Sequence, residues 1–327
     1  MPRARRRARA VLTRAGGIVA SIVLVLWGAA TLAFLAFRII PGDPVDVLLG
    51  PQAQVSDAVK DGIRRELGLD RPPLEQYLAF LGRLARGDLG ESYQLRLPVA
   101  EVIGRQLGST VQLTSLALLI AVVVALASVL LVRGRTARAV AGGIELVVLS
   151  SPVFWVGLVL LSVFSFQLGW FPVSGSRDAA ALVLPAVTLA LPVAALLGQV
   201  LRDGVETAER EPFLLTVRAR GASPLRESTH HTLRHASVGG VTLAAYLVGS
   251  LLGGAVLVET VFARPGIGRV TLTAITDRDL PVVAGVILLS ALVFVAVNTI
   301  ADLVVPLLDP RLRRAAPALG PRSEVPA

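Results

Sequence analysis

The sequence of 327 residues has no cysteine, one methionine, three histidines and a single lysine, Lys60. The missing cysteine excludes disulfides, thiolate metal sites and cysteine nucleophiles. The lone lysine stands in a polar segment, so no G-x-x-x-x-G-K-[ST] phosphate loop exists and ATP is not hydrolysed here by that route. Neither G-x-S-x-G nor H-E-x-x-H occurs, which leaves no catalytic constellation to support a membrane enzyme. His231 and His235 have the i, i+4 spacing of a helical metal pair, but only Glu227 stands near enough in sequence to complete a site. A basic surface facing a partner or headgroups is the preferred reading of those histidines. Charged residues are scarce as well, at 17%, where a soluble domain carries roughly a quarter. No repeat of 20–50 residues is visible.

What is abundant is apolar: 54% of the residues, with a mean hydropathy of +0.70. That marks an integral membrane protein, yet the formal net charge is +9. A bilayer crossing takes about 20 mainly apolar residues. Six stretches qualify, at 18–40, 109–131, 143–168, 183–200, 236–262 and 282–306. Pro185 and Pro192 interrupt the fourth, making it the weakest. The period-2 alternation of a membrane barrel is absent. Six arginines precede the first stretch, whose length exceeds that of a cleavable signal core, so an uncleaved signal anchor is expected.

Charge sets the orientation. With the N-terminus inside, segments 1–17, 132–142, 201–235 and 307–327 carry 19 Arg and 7 acids. The outside segments 41–108, 169–182 and 263–281 carry 12 Lys+Arg and 13 acids. This is the positive-inside pattern, and it explains the basic excess as an orientation signal rather than a nucleic-acid footprint. The expectation is an all-α integral membrane protein of six transmembrane helices with both termini cytoplasmic. Its parts are a basic N-terminus (1–17), a first span (18–40), an external segment (41–108), a transmembrane core (109–306) and a cytoplasmic tail (307–327). The core includes a long cytoplasmic loop at 201–235.

That loop reads as helix, turn, helix. Gly221 is placed to end one short helix, and Ser223 to cap the next, with Pro224 at its first position. A capped, protruding element is a docking knob for a soluble partner or an ordinary solvated linker. In the external segment, Leu74, Tyr77, Leu78, Leu81 and Leu84 have helical amphipathic spacing. The expected helix lies over the external mouth, as a docking surface and lid or as a cap on helix ends.

The run Thr216-Val217-Arg218-Ala219-Arg220-Gly221-Ala222-Ser223, followed by His231-Thr232-Leu233-Arg234, resembles the coupling loop of binding-protein-dependent ABC transporter permeases. It is most similar to the dipeptide/oligopeptide/nickel branch. Pro41-Gly42-Asp43-Pro44, Gly87-Asp88-Leu89-Gly90-Glu91-Ser92, Ser151-Pro152-Val153-Phe154-Trp155, Glu259-Thr260-Val261-Phe262 with Pro265-Gly266-Ile267-Gly268, Arg278-Asp279-Leu280-Pro281 and Leu308-Asp309-Pro310-Arg311 agree in order. Val217 departs from the family's Ala, and Gly239 from its frequent Pro. The resemblance implies a type I importer permease fold and a chain that is not itself an enzyme. It also implies a second permease subunit (a heterodimer), cytoplasmic ATPase subunits that hold ATP and Mg, and an extracytoplasmic solute-binding protein. The chain itself would hold no cofactor and no metal, and its cargo would be peptide, with nickel or a metal chelate as the alternative.

Thr216 to Ser223 are the expected coupling residues, with Arg218 and Arg220 facing acids of the ATPase or lipid headgroups. Polar groups inside spans are candidates for the translocation path, since each is costly in lipid unless paired. They are Gln112, Thr114, Gln199, Thr242, Tyr246 and Asn298, with Ser115 beside them. Gly249, Ser250, Gly253 and Gly254 are expected to let helices approach closely. A secondary transporter is the competing class; it would show internal repeats and midplane charges.

Overall fold

The computed structural model describes residues 2–39, 44–49, 55–66, 68–132, 134–175, 178–223 and 226–308. Pro41, Gly42, Asp43, Pro224 and the tail beyond residue 308 lie outside them, as do the side chains of the N-terminal arginines. Helix dominates. In chain order the elements are α1 (Pro2–Ile39), α2 (Pro44–Leu49), α3 (Asp57–Glu66), α4 (Pro73–Ala85), α5 (Val99–Leu131), α6 (Arg135–Ser150) and α7 (Val153–Leu160). α7 continues as a π-helical turn, Leu161–Gln167. Then come α8 (Ala180–Glu209), α9 (Phe213–Ala219), a second π turn (Glu227–Thr232), α10 (Leu233–Val261), α11 (Ile267–Thr276) and α12 (Leu280–Leu308).

Five helices are long and apolar enough to cross a membrane, within α1, α5, α8, α10 and α12. The stretch at 143–168 is not one straight span. α6 and the helix over 153–167 meet at 103°, and only if this bent pair counts as one crossing is the total six. The bend has a local cause: Pro152 has no N–H to donate and pushes the residue before it out of the helical region. Ser151 is accordingly extended, at φ −90° and ψ 131°. α5 and α8 also run beyond their apolar stretches, starting at Val99 and ending at Glu209.

The stretch that looked weakest is the hub. α8 buries 61% of its most apolar window, against 11–33% for the other four long helices. Its two prolines are absorbed because α5, α6, α7 and α10 all pack on it. The approach is close because the facing residues are small. Ala117, Ala121 and Ala125 recur every fourth residue on α5 and are at most 1% exposed in the core shared with α8. On the α10 side, a Cβ at Gly254 would lie 2.8 Å from Leu189 Cδ1, and one at Gly204 2.7 Å from the Ala236 Cβ. Gly249 plays the same part toward Phe294 of α12, whereas a Cβ at Gly253 would meet nothing within 4 Å.

A second, smaller core joins the start of α5 to α11 and α12. It holds Val99, Val102, Ile103, Ile267, Ala274, Val282 and Val286. The bundle therefore has two differently built ends: one carrying α4 and α11, the other carrying α9.

Candidate functional site

At the α9 end, the eight residues 216–223 form one exposed knob. α9 is anchored by Leu214, 1% exposed. Its C-terminus closes in a Schellman motif: Gly221 N–H donates to the Arg218 carbonyl at 2.9 Å, and Ala222 N–H to the Val217 carbonyl at 3.4 Å. Gly221 sits at φ +77°, a left-handed backbone that side chains disfavour. Beyond the turn, Ser223 Oγ accepts the Arg226 N–H at 3.4 Å and the Ser223 carbonyl accepts the Glu227 N–H at 2.9 Å.

Arg218, though exposed, pairs within the loop. Its guanidinium grips Glu227 from Nε at 3.0 Å and Nη2 at 2.6 Å, and these hydrogen bonds raise its pKa. The pair spans the turn and stiffens it. Thr216, Ala219, Arg220, Gly221 and Ser223 are exposed, while Val217 and Ala222 are half-buried. Below the knob, α8 is tied to α6 by Arg202 and Glu145, at 2.5 and 3.0 Å, with side chains 12% and 10% exposed. Arg138 adds long contacts to Glu206 and Glu209, at 3.4 and 3.3 Å. Gly198 makes room for the Glu145 carboxylate; a Cβ there would lie 2.9 Å from Oε1.

The opposite end holds two buried carboxylate clusters. Glu259 is fully buried near the end of α10. Thr110 of α5 donates to its Oε1 at 2.6 Å and at the same time accepts the Ile267 N–H at 2.8 Å. Arg269 N–H donates to Oε2 at 3.2 Å. Ile267 and Arg269 lie in the first turn of α11, so Glu259 and Thr110 satisfy amide donors that a helix start otherwise leaves open. Gly266 permits this, since a Cβ would overlap the carboxylate, and Gly268 lets α11 ride directly on the Val256 backbone. Arg264, 2% exposed, lies beside the cluster, and its Nε has no hydrogen-bond partner among the described residues. Burial lowers its pKa, and Glu259 pulls the other way.

The second cluster centres on Asp279, 2% exposed. It accepts the Ser92 hydroxyl and the N–H groups of Tyr93 at 3.1 Å and Gln94 at 3.3 Å. The segment before α5 is thereby pinned to the start of α12. α4 covers the amphipathic stretch at 74–84, but its contacts are to α1 rather than across the bundle's end: Tyr77 and Thr31 share a 2.7 Å hydrogen bond.

The path candidates are scattered over α5, α8, α10 and α12, and no hydrogen bond joins any two of them among the described residues. Thr114, Thr242 and Asn298 bond to carbonyls of their own helices, at 2.8, 3.0 and 2.8 Å. Gln112 and Tyr246 are exposed, and Gln199 is half-buried. Glu259 and Asp279 stand in motifs that carry the family resemblance, but nothing in their local sequence names Thr110 or Ser92 as partners. An acid shortly before a Pro-Gly-x-Gly and a new helix is the one local sign of the role of Glu259.

The family described as binding-protein-dependent transport system inner membrane component matches residues 97–314, and its N-terminal membrane component matches 8–114. The chain belongs to this family. The di/tripeptide transport system permease protein DppB of Pseudomonas aeruginosa (strain UCBPP-PA14) is 34% identical over 89% of this chain and 96% of its own length. The glutathione transport system permease protein GsiC of Escherichia coli O6:H1 is 33% identical over 93% of this chain and 98% of its own. A probable peptide ABC transporter permease protein, y4tP of Sinorhizobium fredii, is 33% identical over 90% of this chain and 96% of its own. The permease is a multi-pass inner-membrane protein, and its membership of this family sets aside the secondary-transporter reading.

Proposed function

We propose that this permease is one membrane subunit of an ABC importer that carries peptides inward. The similarity to relatives named for di/tripeptide, glutathione and peptide transport supports that cargo over nickel or a metal chelate. Both termini lie in the cytoplasm, and the chain crosses six times with the bent pair α6–α7 as the third crossing. The α9 end then faces inward, in accord with the arginine excess of its segments. ATP and Mg belong to separate ATPase subunits, so this chain is not an enzyme and holds no cofactor. A second, homologous permease completes the path, and a solute-binding protein delivers cargo at the α4–α11 end. There Gln94, Arg269, Thr273 and Asp277 line an open cavity of about 310 Å³.

The observation that carries the reading is the rigid knob at 216–223, closed by Gly221 and braced by Arg218–Glu227. An exposed element with fixed internal geometry transmits displacement instead of absorbing it. ATP-driven closure of the ATPase pair pushes the knob, and the bundle switches between two packed arrangements. Arg220, free of the internal brace, faces the ATPase. The test is Gly221→Pro, in which the ring cannot adopt φ +77° and removes the donor to Arg218. The expected result is an assembled complex that hydrolyses ATP without peptide uptake. Uptake at the normal rate would refute the assignment, and so would normal uptake by Gly221→Trp.

A further inference from the structure

α4 packs on α1 near the charged end of its apolar run. Its Tyr77 and Phe80 stack on Phe34 of α1, with ring centroids 5.2 and 5.9 Å apart. Tyr77 also bonds Thr31, seven residues before Arg38, the first charge that follows the apolar run of α1. Seven helical residues are about 10–11 Å, which puts α4 at the headgroup–acyl boundary of a membrane spanned by α1. It also carries Leu74 and Leu78, one turn apart and 67% and 57% exposed. Exposed leucines at that depth have acyl chains for neighbours.

A cavity of about 1420 Å³ opens between α1, α4 and the start of α12. Phe34, Phe80, Leu89 and Leu280 give it apolar walls, and Arg38, Arg64, Arg71, Arg83, Arg86 and Arg96 give it charge. The charge is segregated. Segment 41–108 as a whole has 10 acids and 8 Lys+Arg, but five of those basic residues line the cavity and only Glu66, Asp88 and Glu91 of the acids do. Arg38 lies over the Phe34 ring at 5.5 Å, and Arg96 is held to the Leu48 carbonyl at 3.2 Å. Arg71, Arg83 and Arg86 are exposed, and among the described residues no carboxylate lies within ion-pair distance of them.

We propose that this cavity binds the phosphodiester headgroup of an anionic phospholipid, whose acyl chains run along α1 and over Leu74 and Leu78. Planar guanidinium forks suit phosphate oxygens. The apolar walls and the depth of α4 select a membrane lipid over a soluble anion. The site requires only that α1 spans a bilayer, and is independent of the cargo and of the coupling knob.

The test is native mass spectrometry of the detergent-purified importer complex, titrated with dioleoylphosphatidylglycerol or dioleoylphosphatidylcholine. Arg83→Gln/Arg86→Gln is expected to weaken the tightest phosphatidylglycerol adduct by about tenfold and leave phosphatidylcholine adducts unchanged. Arg83→Lys/Arg86→Lys, retaining the charge but not the fork, is expected to lose less affinity than the Gln variant, which separates headgroup binding from misfolding. Equal phosphatidylglycerol binding by wild type and the Gln variant overturns the proposal. Displacement of the lipid by an equal concentration of sn-glycerol 3-phosphate overturns it in favour of a soluble-anion site. Loss of binding-protein capture in the Gln variant with lipid adducts intact overturns it in favour of a protein-docking face.

Discussion

Gly266 has no side chain, and the Glu259 carboxylate occupies the place where one would be. Backbone freedom is not the reason, because Gly266 sits at φ 175°, an extended geometry open to any residue. The requirement is volume alone, set by a carboxylate seven positions earlier that serves as the anionic start of α11.

Glu259→Ala should cost about 3 kcal/mol of complex stability, since each hydrogen bond to a buried charge contributes roughly 1.5–3. Gly266→Ala should cause a similar loss by displacing the same carboxylate. The double variant should be far from additive, which a thermal-unfolding double-mutant cycle would detect. Additive losses would separate the two residues.

Thr110→Val removes a hydroxyl that serves Glu259 and Ile267 at once. α11 is expected to detach more often while the long helices stay packed. The chain has no native cysteine, so Ala274→Cys on α11, at a position 5% exposed, gives a single maleimide site that is shielded while the helix stays docked. Labelling at this site should accelerate in the Thr110→Val background.

Asp279→Asn keeps the shape but forfeits the charge that gathers Ser92, Tyr93 and Gln94. Arg96, exposed and at φ +54°, sits at the far side of that turn. Limited trypsin treatment of the reconstituted complex should cut after Arg96 sooner in the variant, whereas Asp277→Asn, which leaves the carbonyl that Gln94 bonds in place, should cut at the wild-type rate.

Arg218→Glu should lower peptide uptake by opposing Glu227 across the knob, while ATP hydrolysis persists. Arg218→Glu/Glu227→Arg restores an opposite-charge pair and should recover much of the uptake. A swap as defective as the single variant would assign Arg218 an external partner instead.

The features legible in the sequence were the local ones. Apolar runs announced the long helices, and Gly221 announced a left-handed turn because only local backbone geometry is at stake there. The spacing at 74–84 announced α4 but not that Tyr77 would meet Thr31, 46 positions away. The Thr110–Glu259 and Ser92–Asp279 pairs are 149 and 187 positions apart, beyond any local signal. Ser151-Pro152 was visible inside an apolar run, but a proline break leaves the angle open, and the 103° found is not written in the dipeptide. α8 itself misled by its prolines. Hydropathy measures how well a segment tolerates lipid, whereas this helix meets mostly protein.

That placement has a consequence for biosynthesis. α8 is made after α1, α5 and the bent pair, yet it is the element on which α5, α6 and α7 close. The earlier segments must wait in the membrane with their alanine and glycine faces unmatched. The emerging hub is apolar enough to enter the membrane, but its buried faces are completed only by helices already there. Insertion of the first half and folding of the whole are therefore separate events, and a chain stopped before residue 180 would be anchored but not assembled.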